Sequence, residues 1–269
     1  MYKDDLIAIY EERLHLADRE ALEIVMATAA AIYLEGDPLW LLVVGPSGGG
    51  KTEMLSMFVD HEDTLMASSI TKNTLMSGFA AIKEGEDLIY QLNDKLFIIK
   101  DLAPLLEKES SEQTAIMSDL RDAYDGRMVK HWGSGAGDDG TKSWEGKFGL
   151  VAAATPAIDG KMIIHAQMGE RYLRINLKTN DLQQTLKAIL TLGNESGIRS
   201  TLNEAGHNFM NTCRDLALSP IFISAEFMTF VGHIGHAVAR LRTTVRLNRD
   251  DELRFTPVPE VASRLSKQL

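Results

Sequence analysis

The sequence predicts an α/β fold built on a parallel sheet, followed by a smaller helical domain. Three observations carry this. Short continuous apolar runs alternate with helix-like sequence, a glycine-rich loop follows directly on the first of those runs, and only helical periodicity is found after about residue 178.

Composition bounds what such a chain does. The 269 residues are 45% hydrophobic and 25% charged, which suits a globular protein with one large or two modest cores. Lys and Arg total 28 against 38 for Asp and Glu, a formal charge of −10. Nonspecific attachment to nucleic acid or anionic membrane is therefore not expected, and any contact with DNA must be local. One cysteine, Cys213, excludes an intramolecular disulfide and a cysteine-based zinc cluster, and it fits a reducing compartment. The start MYKDDLIAIYEERL is acidic where a secretory signal is basic, and no apolar run is long enough for a bilayer, so a soluble cytoplasmic protein is expected.

In chain order, residues 1–35 read as an N-terminal helical segment. Leu22, Val25, Met26, Ala29, Ala30 and Tyr33 recur at helical spacing, and Gly36 with Pro38 stops the helix. Trp40 to Val44 is a buried parallel strand by its unbroken apolar run. Further strands are expected at Thr64–Ile70, Leu96–Lys100 and Leu150–Ala154. Ser110 and Gln113 have capping-box spacing, and Ile116, Leu120, Ala123 and Tyr124 mark one helical face before Gly126. Arg127–Trp132 and Thr141–Phe148 flank a Gly- and Asp-rich stretch and read as a hairpin inserted near residues 127–148 of an α/β core that spans 36–178. Asp181–Leu192, Ile198–Leu218 and Ala225–Leu247 read as helices of a lid domain over 179–269. The sequence stops at Arg264–Leu269 inside an expected helix, which suggests a piece of a longer protein.

The chemistry concentrates at strand ends. Gly45-Pro46-Ser47-Gly48-Gly49-Gly50-Lys51-Thr52 matches G-x-x-x-x-G-K-[ST] in full, with a strand before it and a helix-compatible segment, Glu53–Val59, after it. Glycines let backbone N–H groups turn around phosphate oxygens, Lys51 would reach the β/γ-phosphates of ATP, and the Thr52 hydroxyl would bind Mg²⁺. Leu96 to Lys100 ends in Asp101, a carboxylate suited to the Mg²⁺ shell. The following residue is Leu102, so a water-activating base must come from elsewhere or hydrolysis is weak; Glu53, Glu62, Glu107 and Glu109 cannot be ranked. Thr155, after the apolar run to Ala154, either orients the attacking water or opens a turn before Pro156. Arg171 and Arg174, near the end of the α/β part, are either arginines offered to a neighbouring γ-phosphate or residues of an edge strand.

In this order the features resemble those of the AAA+ ATPases over residues 36 to 178. Leu120 to Gly135, then a hairpin, then Gly149 to Pro156, is similar to the pre-sensor hairpin and first sensor of the minichromosome-maintenance helicases and the enhancer-binding transcription activators. Gly169-Glu170-Arg171-Tyr172 resembles that clade's arginine-finger region. With Thr71 to Gly78 and Ile99-Lys100-Asp101, the string looks most like ATPases of phages and integrated mobile elements associated with replication or primase–helicase modules. The resemblance implies that Lys51, Thr52 and Asp101 bind MgATP, that Thr155 is the first sensor and Arg171 the finger, and that Arg264, in Pro259 to Leu265, is the second sensor. It implies a homo-oligomeric ring that moves on DNA or remodels a replication complex, with Lys130, Lys142 and Lys147 of the hairpin as candidates to face DNA phosphates. Asp138 and Asp139 at the hairpin tip are unlike a DNA-gripping loop. A nucleotide-gated assembly factor with weak hydrolysis and a small-molecule P-loop kinase are the alternatives.

Overall fold

The computed structural model describes residues 1–14, 18–77, 85–132, 140–160, 171–178, 186, 189–190, 193–217 and 222–241. The chain divides into two compact units, Met1–Leu218 and Ser219–Leu269.

The first unit is organised by a five-stranded parallel sheet of β1 (Trp40–Val44), β2 (Thr64–Ala67), β3 (Leu96–Ile99), β6 (Gly149–Ala154) and β7 (Leu173–Asn176), in the order β2-β3-β6-β1-β7. Alternation along each strand serves two apolar faces. Trp40, Leu42 and Val44 join Phe97, Ile99, Leu150 and Ala152 in a core covered by α6 (Ser110–Tyr124). Leu41 and Val43 join Leu96, Ile98, Val151 and Ala153 in a core covered by α1 (Lys3–Arg13), α2 (Arg19–Ala30), α3 (Lys51–Ser56) and α7 (Glu195–Leu216). Unbroken apolar runs arise here because both faces of the sheet are covered. The short helices α4 (Leu88–Gln91) and α5 (Ala103–Leu106) flank β3.

Helix α6 does begin at Ser110, but its N-cap is Glu109 and no side chain caps it. The expected capping box is absent because the Gln113 amide donates to the Lys108 carbonyl instead, at 2.8 Å. Helix α7, expected in the lid, packs on α1, α2 and α3 and lies in the same compact unit as the sheet. A Cβ on its Gly206 would come within 2.1 Å of the Met57 carbonyl oxygen, so this close approach of helix to backbone requires glycine.

The hairpin consists of antiparallel β4 (Arg127–Trp132) and β5 (Gly140–Glu145), with residues 133–139, including Asp138 and Asp139, outside the described residues. Its register pairs Lys130 directly with Lys142, and both lie on the same side as buried Met128 and Trp144. That side packs inward. Lys142 is 1% exposed, with Nζ donating to Asp87 Oδ2 at 2.8 Å and to the Ser77 carbonyl at 3.1 Å. Lys130 Nζ donates to Asp119 Oδ2 at 2.6 Å and to the carbonyls of Met76 and Lys72. Lys147, beyond the hairpin, donates to the Leu34 carbonyl at 2.9 Å. The three lysines expected to face DNA are thus engaged with the protein itself. The strand period of two turns Val129, His131, Thr141 and Ser143 outward instead.

The second unit, among the described residues, contains α8 (Ala225–Leu241), along which Phe227, Met228 and Phe230 are exposed. No helix among the described residues is long and apolar enough to cross a membrane.

Candidate functional site

All five strands of the main sheet run the same way, so their C-terminal ends share one edge, and three of those ends carry the candidate groups. β1 opens into the glycine loop at Gly45. β3 runs through Lys100 into Asp101, and β6 runs into Thr155. Since β6 lies between β3 and β1, its end bridges the other two. The Gly45 N–H donates to the Ala154 carbonyl at 3.1 Å, and the Leu102 N–H donates to the Ala153 carbonyl at 2.8 Å. Thr155 is the next residue, placed by its own backbone between the loop and Asp101.

The loop has the shape its glycines permit. Gly48 has φ +76° and Gly50 φ +82°, a left-handed conformation that strains other residues, and Gly50 is the N-cap of α3. Lys51 is 9% exposed, and its Nζ donates to the Gly45 carbonyl at 2.6 Å and the Pro46 carbonyl at 2.7 Å. The ammonium therefore spans the concave side of the loop, where oxygen acceptors already surround it. Burial holds its pKa below the ordinary lysine range, and the nearby Asp101 carboxylate pulls the other way. The two charges thus face one another past the end of β6, the strand between β3 and β1.

Asp101 Oδ1 accepts from the Ala103 N–H at 2.8 Å, which fixes the carboxylate at the start of α5. Its other oxygen and the Thr52 hydroxyl are hard donors of the kind a Mg²⁺ ion takes. Among the described residues no group of three or more His, Cys, Asp or Glu side chains is placed to hold a metal. A Mg²⁺ ion here would draw its remaining ligands from phosphate and water, which fits these two donors.

A cleft of about 350 Å³ adjoins Thr52, lined also by Ser56, Lys100 and Arg199. Arg199, on α7, forks onto Glu53, the residue after Thr52, with N–O distances of 2.6 and 3.2 Å. This pairing was not legible in the sequence, because the partners lie 146 positions apart and neither has a local signature. It also occupies one of the four candidate bases. A second, Glu62, pairs with Arg214, which lowers its pKa. Glu109 stands at the N-cap position of α6 without a side-chain cap bond, and Glu107 is the C-cap residue of α5. Leu102 is 3% exposed in the core, so the position after Asp101 contributes packing and no proton acceptor.

Arg171 precedes β7 and so lies toward the opposite edge of the sheet, away from Lys51. Its Nη2 donates to Asp125 Oδ2 at 2.6 Å, and its guanidinium carbon is 5.7 Å from the Tyr124 ring centroid. Arg174 is bound to Asp159 and Asn176. Arg264 lies outside the described residues, as do Gly169 and Glu170.

No protein-family profile and no curated protein sequence matches this chain. Among solved structures it is similar to the A form apo C-terminal region of NrS-1, at 13% identity over 89% of this chain and 54% of that one, with a TM-score of 0.40. It is also similar to a putative ATPase from Cytophaga hutchinsonii, at 12% identity over 88% and 69% with a TM-score of 0.46. A third is the ADP complex of Hsp104 from S. cerevisiae, at 12% identity over 96% and 53% with a TM-score of 0.39. The chain spans about half the length of the NrS-1 region and of Hsp104. Its α/β P-loop fold is evident in its own sheet: a parallel arrangement with helices on both faces and the glycine loop joining the interior strand β1 to α3.

Proposed function

We propose that this chain binds and hydrolyses ATP as an AAA+ protein and works as a homo-oligomeric ring in the remodelling of a DNA replication or helicase complex of the phage and mobile-element kind. The observation that carries the nucleotide reading is the meeting of Lys51, Thr52, Asp101 and Thr155 at the C-terminal edge of three adjacent strands. Backbone N–H groups of Ser47, Gly48, Gly50 and Lys51 and the Lys51 ammonium bind the β- and γ-phosphates. The ammonium exchanges its two carbonyl partners for phosphate oxygens, which are stronger acceptors because they are charged. Thr52 and Asp101 hold Mg²⁺, which when bound neutralises charge on the phosphates. Thr155 orients the attacking water. Arg171, remote from its own Lys51, acts on a neighbour's nucleotide.

A nucleotide-gated assembly factor with weak hydrolysis is the second reading, and the burial of Leu102 in place of a base favours it. DNA is retained as a partner without the three lysines. ATP turnover measured against protein concentration, with and without single-stranded DNA, tests the proposal. Turnover that rises steeply with concentration supports the ring ATPase, binding with negligible turnover at all concentrations supports the assembly factor, and absence of ATP binding ends both.

A further inference from the structure

We infer that Asp125 is a positioning residue that holds Arg171 withdrawn on its own subunit until a neighbour's triphosphate competes for it. The inference rests on the reading of Arg171 as an arginine that acts in trans, and adds to it a threshold built into the fold.

Three features define the withdrawn place. The Arg171 side chain is 12% exposed, bonded to the Asp125 carboxylate at 2.6 Å, with its guanidinium over Tyr124. Tyr124 cannot move out with it. Its ring packs edge-on against Trp40 at 5.2 Å, and the Trp40 indole N–H donates to the Phe148 carbonyl at 2.8 Å. Asp125 is equally fixed in its backbone: it is the C-cap of α6, its N–H donates to the carbonyls of Arg121 and Ala123, and Gly126 at φ +85° turns the chain straight into β4. The aromatic face and the backbone that carries the carboxylate are thus fixed, and the long arginine side chain has the reach to leave them.

Leaving is required for the trans role. An arginine neutralised by a carboxylate offers little to a developing phosphate charge, and a carboxylate carried along would repel the triphosphate. A γ-phosphoryl group offers the guanidinium a more highly charged acceptor than the Asp125 carboxylate, with oxygens placed for bidentate bonding. Exchange therefore favours the phosphate only where assembly holds it within reach, so hydrolysis is suppressed at loosely associated interfaces.

The test is steady-state ATP turnover of the full chain across protein concentration, with Asp125→Asn, Asp125→Glu, Arg171→Ala and the Arg171→Ala/Asp125→Asn double variant. Asp125→Asn keeps a hydrogen-bonding side chain and loses the charge. It should raise turnover below the assembly midpoint by about twofold to fivefold, the range for a partly exposed ion pair, with KM for ATP unchanged. Asp125→Glu should restore the low parental rate, and Asp125→Asn should do nothing in the Arg171→Ala background. Lower turnover in a folded Asp125→Asn protein, or the same rise without Arg171, overturns the inference. Parental turnover in Arg171→Ala alone overturns the trans reading itself and so is distinguishable.

Discussion

Lys51 is held by two carbonyl oxygens of its own loop, so its loss removes the loop's own ammonium at little cost to the core. Lys51→Ala should abolish ATP turnover while the unfolding midpoint stays near parental; a folded variant with parental turnover would remove the loop from the mechanism. Asp101→Asn keeps volume and the bond to the Ala103 N–H but loses the charge offered to a hard cation. Its turnover should fall and require more Mg²⁺, and identical Mg²⁺ titrations of the two proteins would contradict the role. Cys213 is half-buried on α7, and burial pushes its thiol up. Because the folded-state pKa is raised, the thiolate is scarce at neutral pH, and the stability contribution is full below the unfolded value and lost as pH rises through the folded one. Alkylation by iodoacetamide at neutral pH should be slower than that of free cysteine, and an equal rate would contradict the assignment.

At the level of elements, the hairpin is fastened to the α/β core by charge inside the protein. Lys142 and Asp87 are 1% and 3% exposed at their side chains, and removing either leaves the other buried and uncompensated. Lys142→Ala should lower stability by about 3–5 kcal/mol, measured by denaturant unfolding, because unpaired burial is far worse than losing a surface pair. A double change, Lys142→Met with Asp87→Leu, should recover most of that loss. A loss under about 1 kcal/mol for the single variant would mean that water reaches the pair. The same reasoning changes the DNA experiment: reduced DNA binding after Lys142→Ala would report unfolding of the hairpin, whereas His131 and Arg127 on the outer side can be replaced without that confusion.

Across the whole molecule, the parallel sheet separates Lys51 and Arg171 to opposite edges, so a single chain cannot bring both to one nucleotide. Arg171→Ala should retain ATP binding and lose hydrolysis by a factor on the order of a thousand, as for arginine fingers of other P-loop enzymes. Mixing it with Lys51→Ala subunits creates interfaces where an intact loop meets an intact arginine, so activity should reappear on mixing and vanish on dilution. Mixed subunits that co-assemble and stay inactive would assign Arg171 to its own chain.

The sequence by itself determined what depends on neighbours along the chain. Strand β1 is bounded as its apolar run is, the glycine loop follows it, and Asp101 and Thr155 stand just past strand ends, because unbroken apolar runs and loop glycines are local signals of burial and backbone freedom. Tertiary structure alone decided which ends meet. The insertion of β6 between β3 and β1 sets Thr155 between Asp101 and the loop, and no spacing in the sequence encodes strand order. It also decided the fate of the charges: the sequence offers Lys130 and Lys142 to DNA, Glu53 as a base and Arg171 to a nucleotide, yet each has a partner within the chain 11 to 146 positions away. Whether a charge faces solvent or a carboxylate depends on register and on which elements pack together, and a one-residue slip between β4 and β5 would have put Lys130 and Lys142 on opposite faces of the hairpin.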